Sequence, residues 1–372
     1  MISRAYSESN IYGEEISMER WKNRIAVSVL AAIMLMVCVG CATNGVDKET
    51  EGQSQENVSR DDGESNMQGD DMEPEDDNLF EHGEFPEPLL FNGECVFAHE
   101  VWRRDKTQIQ NPGGILCDGE SLLVCDMGNH CVVRLTTDGD FVESYGELGS
   151  EPGNFVTPTA ILLYENEIYV LDSGNMRIQV FDTDMAYVRE ILFEGGELPS
   201  DGKYHDMAIA GDGTIYVAAD SSYGEGMSLF YIEGGELCVV SGGVLGYLAE
   251  QDGTVYAADM YLFYRDNKGY GWKPGENWIY QVDRTGLQRI CELPYMYAPA
   301  DLIVWNDAIY TISTVWGQMN RISMEGELLE ELLTEQEAQS VGMYLCMQNE
   351  NTFYLTEPEG AIWKVFRTEG EE

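Results

Sequence analysis

Positive charge is what this chain has least of. Across 372 residues there are 21 Lys and Arg against 67 Asp and Glu, a formal net charge of −46 and a pI near 4.1. A chain of that sign repels phosphate backbones, which excludes nucleic acid as a partner. Histidine is scarce too, with four residues in all, too few to make a three-imidazole zinc site a natural reading. The longest mainly apolar run, Ile25 to Val39, has fifteen residues with one hydroxyl, Ser28, and no charge, short of the roughly 18 to 20 that span a bilayer as a helix. Outside one N-terminal motif no Cys pair has zinc-ribbon spacing, and there is no phosphate-binding Gly loop, Ser-His-Asp order or metal-binding helix motif. What is present is 44% hydrophobic and 11% aromatic residues, enough for a sizeable core and against a wholly disordered chain. Glycine is abundant at 39 residues, a sign of many tight turns.

The apolar run follows Arg20, Lys22 and Arg24 and leads into small residues, the pattern of an export signal. Cys38-Val39-Gly40-Cys41 resembles a bacterial lipobox, which implies that Cys41 is lipidated and becomes the mature N-terminus. An uncleaved membrane helix is the alternative, with nearly the same topology. Met18 begins a more typical signal peptide than Met1, so residues 1–17 read as an extension from an upstream start and 18–41 as the signal. Residues 42–93 carry sixteen Asp and Glu against Lys48 and Arg60. Such a segment cannot bury a core and is expected to be a disordered, self-repelling tether. The expected location is the extracytoplasmic face of the cell membrane, held by lipid.

From residue 94 the chain repeats itself. Six apolar segments each lead into a turn: Leu122 to Asp126, Ile168 to Asp172, Ile215 to Asp220, Val255 to Asp259, Ile309 to Ser313 and Phe353 to Glu357. Their second positions, Tyr in five of six, recur at steps of 46, 47, 40, 54 and 44 residues. The second unit reads as four strands, over Thr159–Leu163, Ile168–Leu171, Arg177–Phe181 and Val188–Leu192, joined by turn residues such as Asp172-Ser173-Gly174-Asn175. Four antiparallel strands per unit of about 45 residues, six times over, predict an all-β fold, a six-bladed β-propeller on 94–372. The segment Cys95 to Arg103 is placed to complete the last blade beside Ala361 to Arg367, which leaves no open sheet edge.

Asn111-Pro112-Gly113-Gly114-Ile115 through Cys125-Asp126-Met127-Gly128-Asn129-His130-Cys131-Val132-Val133-Arg134, and Gly153-Asn154-Phe155 through Leu171-Asp172-Ser173-Gly174-Asn175-Met176-Arg177-Ile178-Gln179-Val180-Phe181, resemble NHL repeats of six-bladed, TolB-like propellers. The resemblance covers 111–194 closely and the later units through strand spacing and the Tyr marker. It implies a rigid ring whose inter-blade and second-to-third-strand loops share one binding end.

That end is expected to collect His205 and Asp206 with the turn residues Asp126, Asn129, Asp172, Asn175, Asp220 and Asp259, the last six read as structural caps on backbone N–H groups. One loop is out of proportion. Asp172 and Ile178 are six residues apart, yet their counterparts Asp259 and Ile279 are twenty apart. The extra length carries Tyr261, Phe263, Tyr264, Tyr270, Trp272 and Trp278 with Arg265, Lys268 and Lys273, and Tyr295 and Tyr297 follow on the same side. Aromatics among polar residues suit a protein, peptide or glycan ligand; a hairpin packed on its own blade is the alternative. The expectation is therefore a monomeric binding scaffold with no cofactor and no catalytic set. The competing reading is a propeller lyase or lactonase-type hydrolase with a divalent cation in the channel, for which His205 is the one tolerable catalytic histidine. Excluding the two in the signal, seven Cys remain. Cys117, Cys125 and Cys131 fall at core positions and are expected as buried free thiols, with pairing of strand neighbours left open in an oxidising compartment.

Overall fold

The Tyr-marked segments are the second strands of six similar sheets in the computed structural model, which describes residues 95–193, 203–220, 227–242, 245–259, 262–266, 269–273, 278–293, 297, 299–313, 317–333, 344–357 and 360–368. Strand β1 (Phe97–Trp102) precedes a single helical turn, α1 (Arg104–Thr107). Blade one is β2 (Pro112–Cys117), β3 (Ser121–Asp126), β4 (Cys131–Thr136) and β5 (Phe141–Tyr145); blade two is β6 (Pro158–Tyr164), β7 (Glu167–Asp172), β8 (Arg177–Asp182) and β9 (Tyr187–Leu192). Blade three is β10 (Lys203–Ile209), β11 (Ile215–Asp220), β12 (Met227–Glu233) and β13 (Glu236–Gly242). Blade four begins with β14 (Leu245–Gln251) and β15 (Thr254–Asp259). A separate hairpin, β16 (Leu262–Asp266) with β17 (Gly269–Lys273), comes next, and the blade resumes with β18 (Trp278–Asp283) and β19 (Gly286–Glu292). Blade five is β20 (Pro299–Trp305), β21 (Ala308–Ser313), β22 (Met319–Ser323) and β23 (Leu328–Leu333). Blade six takes β24 (Leu345–Asn349), β25 (Thr352–Glu357) and β26 (Ala361–Arg367), and β1 supplies its fourth strand in register from Phe97 opposite Arg367 to Trp102 opposite Ile362.

The first strands β2, β6, β10, β14, β20 and β24 pack on one another in that order and β24 returns to β2, so the ring closes. Burial follows from this geometry. Second strands are flanked by neighbouring blades on both faces and are almost wholly buried, as in β3, β7 and β21, whereas the outer strand β9 is exposed along most of its length. The core therefore lies between blades rather than at one centre. Leu123, Val132, Phe155, Val170 and Phe181 fill the space between blades one and two, and Tyr169, Val180, Tyr204 and Phe230 that between two and three. First strands run close together near the axis. A Cβ on Gly114 would stand 2.7 Å from the Ala160 Cα, which leaves glycine as the residue that fits there.

The seam where blade six meets blade one is tied by blade-six side chains that donate to blade-one carbonyls. The Trp102 and Tyr354 ring centroids are 5.9 Å apart. The Tyr354 hydroxyl donates to Thr137 O at 3.1 Å, and Thr356 Oγ1 to Gly113 O at 2.9 Å. Cys95, Cys117, Cys125, Cys131, Cys238, Cys291 and Cys346 are free thiols, with Cys125, Cys131, Cys291 and Cys346 buried.

Candidate functional site: the loop end and the channel

The turns after the second strands and the crossings between blades meet at one end of the ring, and buried carboxylates hold them together. Asp126 and Asp172 are fully buried. Asp126 Oδ1 accepts from the Asn111, Gly128 and Asn129 amides at 3.1, 3.1 and 3.2 Å, and Oδ2 from the Gln110 amide at 3.0 Å and Asn129 Nδ2 at 2.7 Å. Asp172 Oδ1 accepts from the Val156 amide at 2.7 Å, while Oδ2 takes Asn175 Nδ2, Arg177 Nε and Gln179 Nε2 at 2.8, 2.8 and 3.1 Å. The lone pairs of both groups are directed at the protein itself, and Asn129 and Asn175 serve the same task in the two blades. Met176, after the Ser173–Asn175 turn, and His130 take positive φ of 50° and 57°, and His130 Nδ1 accepts from the Thr157 amide at 3.0 Å. The side chains of Asp220 and Asp259 lie outside the described residues.

Nearer the axis the same residue type is used differently. In blade three a β-bulge between Tyr204 and Asp206 leaves His205 as the extra residue. Asp206 Oδ1 accepts from the Met207 amide at 2.9 Å and Oδ2 from the Leu248 amide of blade four at 2.7 Å. Blade five repeats the device. A register shift between Pro299 and Leu302 frees Asp301 to accept from the Leu302 amide at 2.7 Å and from the Leu345 amide of blade six at 2.7 Å. Both carboxyls are buried. Burial pushes Asp206 up to about 7, the Leu248 and Met207 amides acting in the opposite direction. Burial, and then the charge of Asp206, hold Asp301 well above the usual carboxylate range.

An aromatic arrangement lies over this pair. The Tyr344 hydroxyl donates to His205 O at 2.7 Å, linking blade six to blade three across the ring. Tyr247 stands edge-on to both His205 and Tyr344, with centroid distances of 5.9 and 5.7 Å. His205 Nε2 lies 2.7 Å from Gly246 O, so this nitrogen carries the proton. Its Nδ1 then presents a lone pair, buried and without a hydrogen-bond partner among the described residues. Burial pushes the Tyr344 phenol well above its ordinary range, with smaller contributions from Tyr247, Asp206 and Asp301. The arrangement keeps two buried carboxyls above their usual range and offers one nitrogen lone pair. Among the described residues no three His, Cys, Asp or Glu side chains are grouped so as to share a metal ion.

The long insertion of blade four is a complete extra two-stranded sheet. It branches where Ala258 of β15 pairs with Ile279 of β18, on the loop end, and sets Phe263 opposite Trp272 and Arg265 opposite Tyr270. Tyr261 and Tyr295 lie outside the described residues, as do the side chains of Phe263, Tyr264, Tyr270, Trp272 and Lys273. Two of the aromatics expected at the surface are committed to the blades. Trp278 is half-buried in the packing between blades three and four, with the Arg289 guanidinium 4.9 Å from its ring centroid. Tyr297 is fully buried. Its hydroxyl donates to Asn320 Oδ1 at 2.8 Å, and its carbonyl accepts from Ser313 Oγ at 2.6 Å. A buried phenol needs such a partner, and Asn320 supplies it from inside blade five, so Tyr297 belongs to the core and not to a binding surface. Asp301, Tyr247 and Tyr344 were absent from the sequence-predicted site. The available signal was an Asp followed directly by apolar residues within a first strand, seen twice, in Asp206-Met207-Ala208-Ile209 and Asp301-Leu302-Ile303-Val304.

No protein-family profile matches the chain, and no curated protein does. Solved structures do. A catalytically inactive virginiamycin B lyase from Staphylococcus aureus with quinupristin superposes with a TM-score of 0.51 at 12% identity, over 73% of this chain and all of that one. A luciferin-regenerating enzyme gives 0.50 at 12% identity, over 72% and 95% of the two chains. A protein of unknown function from Bacteroides thetaiotaomicron gives 0.51 at 15% identity, over 73% and 76%. At these identities the likeness shows the fold, a six-bladed β-propeller, a scaffold that carries unrelated functions.

Proposed function

We propose that this chain is an exported bacterial lipoprotein, anchored through Cys41 and spaced from the membrane by residues 42–93, whose propeller recognises a protein, peptide or glycan through its loop end. Segments 1–41 and 42–93 lie outside the described residues, so anchor and tether rest on the sequence pattern. The observation that carries the recognition reading is the β16–β17 hairpin. Among the described residues, blade four alone adds a second sheet between its second and third strands. The insertion brings Tyr264, Tyr270, Trp272 and Lys273 to the end where the crossings between blades converge. Loops on a rigid ring are where variation costs the scaffold least. Glycan and peptide arrays probed with the purified chain test the reading. Trp272→Ala is expected to weaken the selected ligand by about 10- to 100-fold at an unchanged thermal midpoint. Undiminished binding after residues 260–277 are exchanged for a short turn would sink it.

A second reading, a lyase or hydrolase using a divalent cation at the channel, would have to recruit Asp206, Asp301 and Nδ1 of His205, which are not grouped so as to share a metal ion among the described residues. It predicts one tightly bound divalent ion per chain, lost in Asp206→Asn. The first reading predicts ligand binding insensitive to chelator.

A further inference from the structure

Cys117 ends β2 and Cys346 is the second residue of β24, the first strands of blades one and six. These two strands meet where the ring closes. Ile115 and Cys117 lie two apart on one face of β2, and both pack into the cluster that contains Cys346, Trp102 and Tyr354. The Cys117 backbone N–H favours the Cys346 thiolate against the larger upward effect of burial, and the Gly119 N–H acts in the same way on Cys117. Two residues further along each segment, just past the end of β2, Gln348 Nε2 donates to Gly119 O at 3.2 Å. Cys117 and Cys346 have the same separation in the chain as Gly119 and Gln348, 229 residues, which places the two thiols on neighbouring stretches of β2 and β24 where these strands of adjacent blades pack. Tyr354 closes the third side, with its phenol under the influence of both thiols.

We propose that Cys117 and Cys346 form an inter-blade disulfide that locks blade one to blade six when the chain matures in an oxidising compartment. The oxidant is an exchangeable disulfide. The half-buried Cys117 loses its proton and attacks it, giving a mixed disulfide and one leaving thiolate; Cys346 then loses its proton and displaces the second. Two electrons and two protons pass to the oxidant, which leaves as two thiols. Burial raises both thiols, so the bond forms while the seam is closing rather than by attack in the finished ring. The nearest competitor, Cys125 with Cys131, is out of direct register, because Cys125 faces Val132 and Cys131 faces Asp126. A bond across nearly the whole propeller removes a large loop entropy from the unfolded chain. Its location is independent of the ligand, and its occurrence in the cell rests on the export reading above.

The test uses the full chain, refolded from the reduced, unfolded state in a glutathione redox buffer or in dithiothreitol, alkylated, and digested without reduction. The expected product of oxidative refolding is a linked peptide pair containing Cys117 and Cys346, lighter by two hydrogens. The thermal midpoint should be roughly 5–15 °C above that of the reduced protein, with no such gain for Cys346→Ala in the same buffer. Alkylation of both residues after oxidative refolding, or a cross-link joining other cysteines, would overturn the proposal. Because the assay is run on purified protein, it can fail while membrane anchoring stands, and succeed if anchoring falls.

Discussion

Blades one and two place their buried Asp at the end of the second strand; blades three and five place theirs inside the first. In both pairs the carboxylate accepts backbone N–H bonds and stitches neighbouring segments together, yet the chemistry differs. Asp172 has four donors, one of them a guanidinium, within 2.7 to 3.1 Å, so its negative charge is met from several sides. Asp206 and Asp301 have two amides each, no cation, and each other's charge. For Asp206 and Asp301 two amides each do not offset the cost of burying the charge, and both carboxyls stand raised.

The largest effect is expected where the charge is best met. Asp172→Ala leaves the Val156 amide without its acceptor and takes the fully buried carboxylate from Arg177, which keeps Glu190 Oε2 at 2.7 Å and the Glu151 and Asn154 carbonyls. Removing one partner of a buried pair costs about 3–5 kcal/mol when the other charge is left uncompensated, and the contacts that Arg177 keeps set the expected loss at the lower end, which a urea midpoint measures directly. A loss below about 1 kcal/mol would show that the turn re-forms around water and that the contrast between the two kinds of Asp is overstated.

The ring was legible because its cause is local. The β-branched runs ending in Asp126, Asp172 and Asp220, and the Tyr preceded by an aliphatic residue, mark second strands that must be apolar on both faces. Closure by β1 followed from one alternating segment left over at the N-terminus of the domain. The channel was not legible. Asp206 and Asp301 are 95 residues apart in the chain, and nothing in either strand announces that closure brings their charges together. Tyr297 failed for a related reason. An aromatic just before a strand reads equally as surface or core, and the partner that decides it, Asn320, stands 23 residues later.

The acid pair should make stability depend on pH in an unusual direction. In the unfolded chain both groups lose their protons near pH 4, whereas the folded chain keeps the Asp206 proton to about 7 and that of Asp301 well above the carboxylate range. Between those limits the folded state binds more protons, so the pair's contribution to stability falls as pH rises from about 4 to about 7. Carboxylates with lowered values, such as Asp118, act oppositely, losing their contribution as pH falls. The informative quantity is therefore the difference between the protein and Asp206→Asn/Asp301→Asn. The variant should gain on the parent as pH increases over this window, although each Asn gives up one amide-accepting oxygen. A midpoint difference that stays constant from pH 4 to 8 would mean that neither carboxyl is raised in the folded chain.

The smallest effect concerns the phenol that spans the channel. Tyr344→Phe keeps the ring, and with it the edge-on contact to Tyr247, but removes the hydroxyl that reaches His205 O at 2.7 Å. One buried carbonyl then loses its donor, at a cost of about 1 kcal/mol. That cost is small because His205 remains tied through Nε2 to Gly246 O and Asp206 through the Leu248 amide, so blades three and four do not depend on the Tyr344 bridge. The donors to Asp126 and Asp172 are amides and a guanidinium, with no hydroxyl among those hydrogen bonds. If Tyr344→Phe instead cost as much as Asp172→Ala, the cross-ring bridge rather than the blade seams would carry closure, and the two regions would have exchanged roles.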